Sequence, residues 1–393
     1  MLVFFIASTF YIPLLQAQFA NLSIENLSTS DDTVVLQKGL KVRQGTVDVH
    51  HAGTAMRFLI AFFSALDGAE VLLTGSERMQ QRPVGILVEA LRSLGAKIDY
   101  AAQEGFPPLQ IIGQNIQNNK VNINAGVSSQ YISALMLIAP MLPNGLQINL
   151  EGKITSTPYI EMTLSLLEKI GVKGTFTNQT IQISAVDKID NTTITVESDW
   201  SSASYFYSLV ALSENAEITI SSFSKQSLQG DAALISIYEK LGVKTVFNSA
   251  DNTITLSKTN LPLPDSIELN LANTPDLAQT IAVSCFGLGI ACNLTGLHTL
   301  KIKETDRLIA LQCELQKLGA VVIVDMDSLK LHQSKTINPE ITIATYQDHR
   351  MAMAFAPLAL RVPIVIDQPL VVSKSYPTFW DDLKKVGLAV TLK

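Results

Sequence analysis

The chain is 393 residues long, 47% hydrophobic and only 16% charged, with 21 Gly, 15 Pro and 3 Cys. That size and composition fit two large domains, each burying its own core, and exclude a disordered tail protein, a collagen-like chain and a disulfide-stapled scaffold. The formal net charge of −6 argues against general nucleic-acid binding, so an anionic ligand has to be held by locally clustered Lys and Arg.

Met1 to Ala20 is apolar, and the first basic residue in the chain is Lys38. A secretory signal wants a positive start, and a membrane span wants about 20 apolar residues without Pro13, Gln16 and Gln18. A core strand or helix, or a damaged start, is therefore expected here in preference to a leader or anchor. Beyond it, a helix-like stretch ending in an apolar residue plus Gly, then a β-prone run, recurs. VVLQKGLKV, with Gly39, is a weak copy. VEALRSLGAKIDY (Gly95), LSLLEKIGVKGTF (Gly171), ISIYEKLGVKTVF (Gly242), CELQKLGAVVIV (Gly319) and WDDLKKVGLAVTL (Gly387) are clear ones. Apolar residues at i, i+3 and i+4 predict a helix with one buried stripe, the Gly a left-handed stop, and the Val/Ile/Thr run a strand. One such unit is ordinary in any α/β protein. Five at a spacing of roughly seventy residues imply about six small αβ modules.

Between the helices, 147–154, 191–198 and 216–223 alternate apolar and polar residues as strands do, whereas 128–142 and 276–291 are apolar nearly all round and predict helices buried on most faces. The expected architecture has helices inside and sheets outside, in two domains, 1–197 and 198–393, with a hinge near Glu197 to Trp200. Cys285, Cys292 and Cys313 are odd in number and lack Cys-x-x-Cys spacing. They read as small buried hydrophobes in a reducing cytosol, with no disulfide framework or thiolate zinc site.

The sparse basic residues sit at helix starts, where backbone N–H groups favour anions. HAGTAMRFL (51–59) joins a Gly-Thr turn to Arg57; LTGSERMQQRPVG (73–85) carries Arg78 and Arg82; Ser128 to Gln130 places two hydroxyls and an amide at another start. LKIKETDRL (300–308) gathers Lys301, Lys303, Glu304, Asp306 and Arg307, YQDHRMAMAF (346–355) sets Asp348, His349 and Arg350 before an apolar helix, and VVSKSYPTFW (371–380) offers Lys374. Each alone is ordinarily a cap and a solvated face, and 301–307 alone reads as i, i+4 ion pairing. They repeat from module to module, and if those starts converge between two domains they make an anion-binding cleft despite the negative total charge. No P-loop, dinucleotide fingerprint or metal-ligand spacing is present.

With SDDT (30–33), STPY (156–159), SDWSSASYF (198–206), QGD (229–231), TPDLA (274–278) and SKSYP (373–377) added in order, residues 21 to 393 resemble the 5-enolpyruvylshikimate-3-phosphate synthase family. The resemblance implies an α/β (α+β) fold of two domains, each of three βαβαββ units with buried parallel helices, an inside-out barrel. It implies transfer of the enolpyruvyl group of phosphoenolpyruvate to the 5-hydroxyl of shikimate 3-phosphate, releasing phosphate, on the route to chorismate and the aromatic amino acids. Gly53, Arg82, Gln130, Arg307, Arg350 and Lys374 would hold phosphoenolpyruvate. Ser128, Ser129, Gln130, Ser156, Asp276 and Lys303 would hold shikimate 3-phosphate. Asp276 would act as base, with Glu304 and Lys374 as proton carriers. The family uses no metal or organic cofactor; a cytoplasmic monomer without nucleic-acid or membrane partners is expected.

One departure stands out. The family's Lys-Ser-x-Ser-Asn-Arg segment, about 22 residues before an Asp-Asp pair (here Asp31-Asp32), has no counterpart in Phe4 to Pro13, where no Lys or Arg stands. A damaged or truncated start is the expected reason, and a substrate-binding but catalytically impaired homologue is the alternative. A UDP-N-acetylglucosamine enolpyruvyl transferase would be expected to carry a loop Cys near 70–85, and none stands there.

Overall fold

The structure, a computed structural model, describes residues 7–391 except 125, 127, 128, 153, 155 and 156. The chain divides into two compact units, Ala7–Val196 and a second from Glu197 onward.

The first unit opens with the helix Ala7–Gln18, which accommodates Pro13 and buries Tyr11, Ile12, Leu14 and Leu15. Residues 11–15 of the apolar start are thus core, while residues 1–6 lie outside the described residues; among the described residues no helix is long and apolar enough to cross a membrane. Strand Gln44–Asp48, helix Gly53–Ala65, strand Glu70–Thr74, helix Gly85–Ser93 and strands Lys97–Tyr100 and Leu109–Ile112 make one βαβαββ module. Its first two strands pair in parallel and the others antiparallel. Lys120–Asn124, Ser129–Ile138, Leu146–Glu151, Thr157–Lys169, Gly174–Thr177 and Thr180–Ile183 repeat that order and pairing. Leu22–Glu25 pairs in parallel with Thr192–Thr195, joining the two ends of the unit.

In the second unit, Ser266–Asn270, Ala278–Leu288, Ala291–Thr295, Arg307–Lys317, Val322–Val324 and Leu329–Leu331 make another full module. Glu217–Ser221, Val243–Asn248 and Thr253–Lys258 form a three-stranded antiparallel sheet, and Ile341–Ile343 pairs in parallel with Ile364–Ile366.

The inner helices explain the all-apolar runs. In the two runs expected to be buried on most faces, every residue of 131–138 and of 278–287 is buried; so is every residue of Trp200–Leu212, and of Gly53–Ala65 except Thr54. Burying each large apolar side chain contributes about 1.5–3 kcal/mol. Hydroxyls on these helices satisfy one another: Tyr11 donates to Ser133 at 3.1 Å, and Ser133 lies 3.1 Å from Thr163. Ser284 likewise donates to Ser208 at 2.8 Å and pairs with Tyr238 at 2.8 Å.

Most Gly stops behave as expected. Gly95, Gly171 and Gly319 have positive φ, and the following N–H bonds back to Leu91, Leu167 and Leu315. Two copies differ. Gly387 ends its helix in the same way, but 388–391 form no strand. Gly39 is the last helical residue rather than a left-handed stop; a Cβ there would meet Leu59 Cδ1 at 2.7 Å, so any larger residue has to push the buried Leu59 side chain aside. Cys285 and Cys292 are buried as expected, but Cys313 is exposed, because it lies on the outer face of Arg307–Lys317.

Candidate active site

In the second unit four segments bring charge to one place. Asp306 caps the helix Arg307–Lys317 by accepting from the N–H groups of Leu308 and Ile309, which puts Arg307 at the first helical position. Arg307 is 2% exposed, and its whole fork is engaged. Nε donates to Asp348 Oδ2 at 2.6 Å, Nη1 to Asp276 Oδ1 at 2.8 Å, and Nη2 to Glu304 Oε2 at 2.9 Å. Asp348, fully buried, also caps the helix His349–Phe355 by accepting from the Arg350 N–H. One carboxylate thus starts the helix that carries Arg350 and orients Arg307.

Around this core, Lys374 Nζ donates to Glu304 Oε1 at 2.6 Å, so Glu304 is bridged between two cations. Lys303 Nζ lies 3.5 Å from Asp276 Oδ1, and Arg350 Nη2 reaches Asp276 Oδ2 and Ser201 Oγ at 3.4 and 3.3 Å. Burial alone would raise the Asp276 carboxyl, but Lys303, Arg350 and Arg307 together hold it well below the carboxylate range. Burial pushes His349 down to about 3 despite Asp348 beside it, so its imidazole is neutral. Asp231 accepts from Ser201 Oγ, and burial, reinforced by Asp276 and Asp199, pushes its carboxyl up to about 7. The charges of 301–307 are therefore not a self-contained helical ladder. Local pairs (Arg307 with Glu304, Lys301 with Asp306) are joined by bonds to residues 31 and 41 positions away.

In the first unit, helix Gly53–Ala65 starts after Ala52 without a side-chain cap, which leaves its first N–H groups to other acceptors. The Arg82 guanidinium lies against this start: a Cβ on Gly53 would fall 2.8 Å from Arg82 Cζ. Gln130 Nε2 donates to Thr54 Oγ1 at 3.0 Å, and Tyr131 OH donates to the Pro83 carbonyl at 2.7 Å. Arg57 points back along its own helix, donating to the Gly53 carbonyl at 2.7 Å and facing the Tyr131 ring.

The sequence-predicted residues thus fall into two neighbourhoods. Gly53, Arg82, Ser129 and Gln130 belong to the first, with Ser129 opening the helix Ser129–Ile138. Asp276, Lys303, Glu304, Arg307, Arg350 and Lys374 make the second. Ser128 and Ser156 lie outside the described residues. Asp199, Ser201 and Asp231 join the second neighbourhood beside Arg350 and Asp276, although no motif in the sequence assigns them a part; for Asp199 and Ser201 the signal is an acidic residue at a Ser-rich helix start, and for Asp231 there is none.

Comparison with known proteins converges on one family. The family described as EPSP synthase (3-phosphoshikimate 1-carboxyvinyltransferase) matches residues 14–383. A 3-phosphoshikimate 1-carboxyvinyltransferase of Bacteroides fragilis is 45% identical over 369 residues, 93% of this chain and 89% of that protein. A Sulfurovum protein of the same description is 37% identical over 345 residues, 86% of this chain and 78% of that one. An EPSP synthase structure from Acinetobacter baumannii superposes with a TM-score of 0.77 at 19% identity, covering 99% of this chain and 95% of that one, which is likeness of fold. The chain belongs to the EPSP synthase (3-phosphoshikimate 1-carboxyvinyltransferase) family.

Proposed function

We propose that this chain transfers the enolpyruvyl group of phosphoenolpyruvate to the 5-hydroxyl of shikimate 3-phosphate and releases phosphate. The observation that carries the reading is a pair of carboxylates, Asp276 and Glu304, held by Arg307, with Lys374 on Glu304 and with Lys303 and Arg350 on Asp276. Two phosphorylated substrates need several guanidinium and ammonium groups, and the addition needs an acid and a base.

Addition breaks the hydroxyl O–H, forms the C–O bond at C2 of phosphoenolpyruvate and puts a proton on its methylene carbon. Departure of phosphate from C2 with loss of a methyl proton restores the vinyl group. Asp276 is assigned the hydroxyl proton. With its carboxyl held so low it is a weak base. An incoming phosphate or carboxylate draws Lys303 and Arg350 toward itself and so raises Asp276 toward a useful value. Glu304 and Lys374, 2.6 Å apart, are assigned the methylene proton, which can pass along that bond. Gly53, Arg82, Gln130, Arg307, Arg350 and Lys374 are assigned to phosphoenolpyruvate. Ser128, Ser129, Gln130, Ser156, Asp276 and Lys303 are assigned to shikimate 3-phosphate. The cytoplasm is the compartment proposed; three cysteines without disulfide-framework spacing suit a reducing compartment.

A phosphate-release assay tests this. Release should require phosphoenolpyruvate and shikimate 3-phosphate together. Release driven by UDP-N-acetylglucosamine instead, or none with the proposed pair, overturns the reading.

A further inference from the structure

Arg350 is delivered by an unusual piece of backbone. After strand Ile341–Ile343 the chain turns through Tyr346 and Gln347, at φ +54° and +56°, before Asp348 caps the next helix. The turn closes with the Asp348 N–H on the Thr345 carbonyl at 2.8 Å. Two consecutive positive-φ positions are ordinarily filled by Gly, Asn or Asp, because a Cβ crowds the backbone there. Tyr and Gln occupy them here, so something outside the turn must hold it.

Glu314 does so. It is fully buried on Arg307–Lys317, two turns beyond Arg307. Its Oε1 accepts from Tyr346 OH at 2.7 Å, and its Oε2 from the Ala344 N–H at 3.1 Å. Lys317 balances the charge at 2.7 Å. Burial and the adjoining carboxylate push the Tyr346 phenol upward, which keeps the hydroxyl a donor. The helix therefore grips the turn at both ends, with Glu314 before it and Arg307 on Asp348 after it.

We propose that Glu314, acting through Tyr346, is a positioning residue that holds the 346–347 turn and thereby sets where Arg350 presents its guanidinium to phosphoenolpyruvate. This rests on the assignment of Arg350 to that substrate.

The test is steady-state kinetics of wild type, Tyr346→Phe and Glu314→Gln with each substrate varied in turn. Loss of a bond to a charged acceptor should raise KM for phosphoenolpyruvate by about tenfold in Tyr346→Phe, with KM for shikimate 3-phosphate unchanged. Glu314→Gln should shift the same constant, and the double variant should lose less than the product of the two single effects. A merely structural part would lower the active fraction, and hence kcat, with both KM values intact; that result, or a parallel rise in both, overturns the proposal. If Glu314→Gln does not accumulate as folded protein, Tyr346→Phe decides alone, since it removes one hydroxyl from a half-exposed ring. A wild-type chain that releases no phosphate from the substrate pair sinks the assigned activity and the positioning role with it. Wild-type turnover with unshifted variants sinks the positioning role only.

Discussion

Arg82 and Arg307 are both nine-tenths or more buried, yet their surroundings are opposite in kind. Arg307, in the carboxy-terminal half, spends its whole fork on Asp348, Asp276 and Glu304. Arg82, in the amino-terminal half, has no carboxylate partner among the described residues, and its Nε is buried without a hydrogen bond. The difference separates two tasks. A guanidinium with no acid beside it sets no carboxylate's charge, and the part proposed for Arg82 is to hold a substrate anion. One that ties acids together also sets their charge, and in doing so organises groups able to move protons.

Replacement of each arginine by Met, similar in length and uncharged, sharpens this contrast most. Arg307→Met leaves Asp348 buried without its cation and should cost about 3–5 kcal/mol of unfolding free energy. Arg82→Met strands no acid and should cost no more than about 1 kcal/mol, its effect falling on KM for phosphoenolpyruvate. Urea unfolding read with the slope held constant measures both. Equal losses would erase the distinction. Next in size is Glu304→Gln, which keeps the shape but cannot carry a proton; kcat should fall about 10²–10⁴-fold while both KM values stay close to wild type. A fall in affinity with kcat retained would make Glu304 a ligand for its neighbouring cations and nothing more.

The same contrast explains what could be read in advance. Gly95, Gly171, Gly242 and Gly319 were legible because a helix stop is decided within a few residues by backbone conformation. Gly39 misled because its constraint comes from Leu59, on another helix. Arg307, Arg350 and Lys374 could be named from their motifs, but their pairing could not. Asp348 meets Arg307 across 41 positions and Glu304 meets Lys374 across 70, distances that no local pattern spans. Asp231 escaped for the same reason: its weight comes from burial beside Asp276 and Asp199, not from its own neighbours in sequence.

A smaller effect tests the Arg82 side alone. At Gly53 a Cβ would meet the Arg82 guanidinium, the far end of a flexible side chain, so Gly53→Ala should displace that group without unsettling the fold. KM for phosphoenolpyruvate should rise by about tenfold, the loss of one charge-assisted bond, with the thermal midpoint nearly unchanged. A lowered midpoint with KM intact would instead mean that Arg82 is structural.

The smallest effect in the wild type is one of cancellation, and it belongs to the carboxy-terminal half. His349 has a folded value near 3 against an unfolded value of about 6.5, so between these the unfolded chain binds the extra proton and stability rises with pH by about 1.4 kcal/mol per unit. Asp231, near 7 in the fold and about 3.9 when unfolded, binds the extra proton in the native state, so stability falls with pH at a similar rate. Asp199, also raised by burial, adds to the second trend, while Asp276, held low, loses its contribution only below about pH 4. Between about pH 4 and 6.5 the opposing slopes partly offset each other in the intact protein. Asp231→Asn should expose the histidine, making the chain less stable as pH falls from 6.5 toward 4.5. His349→Gln should expose the carboxyl and reverse that sign. Urea midpoints at three pH values within the window measure it, and variants whose slopes share one sign would show that these two buried groups do not balance.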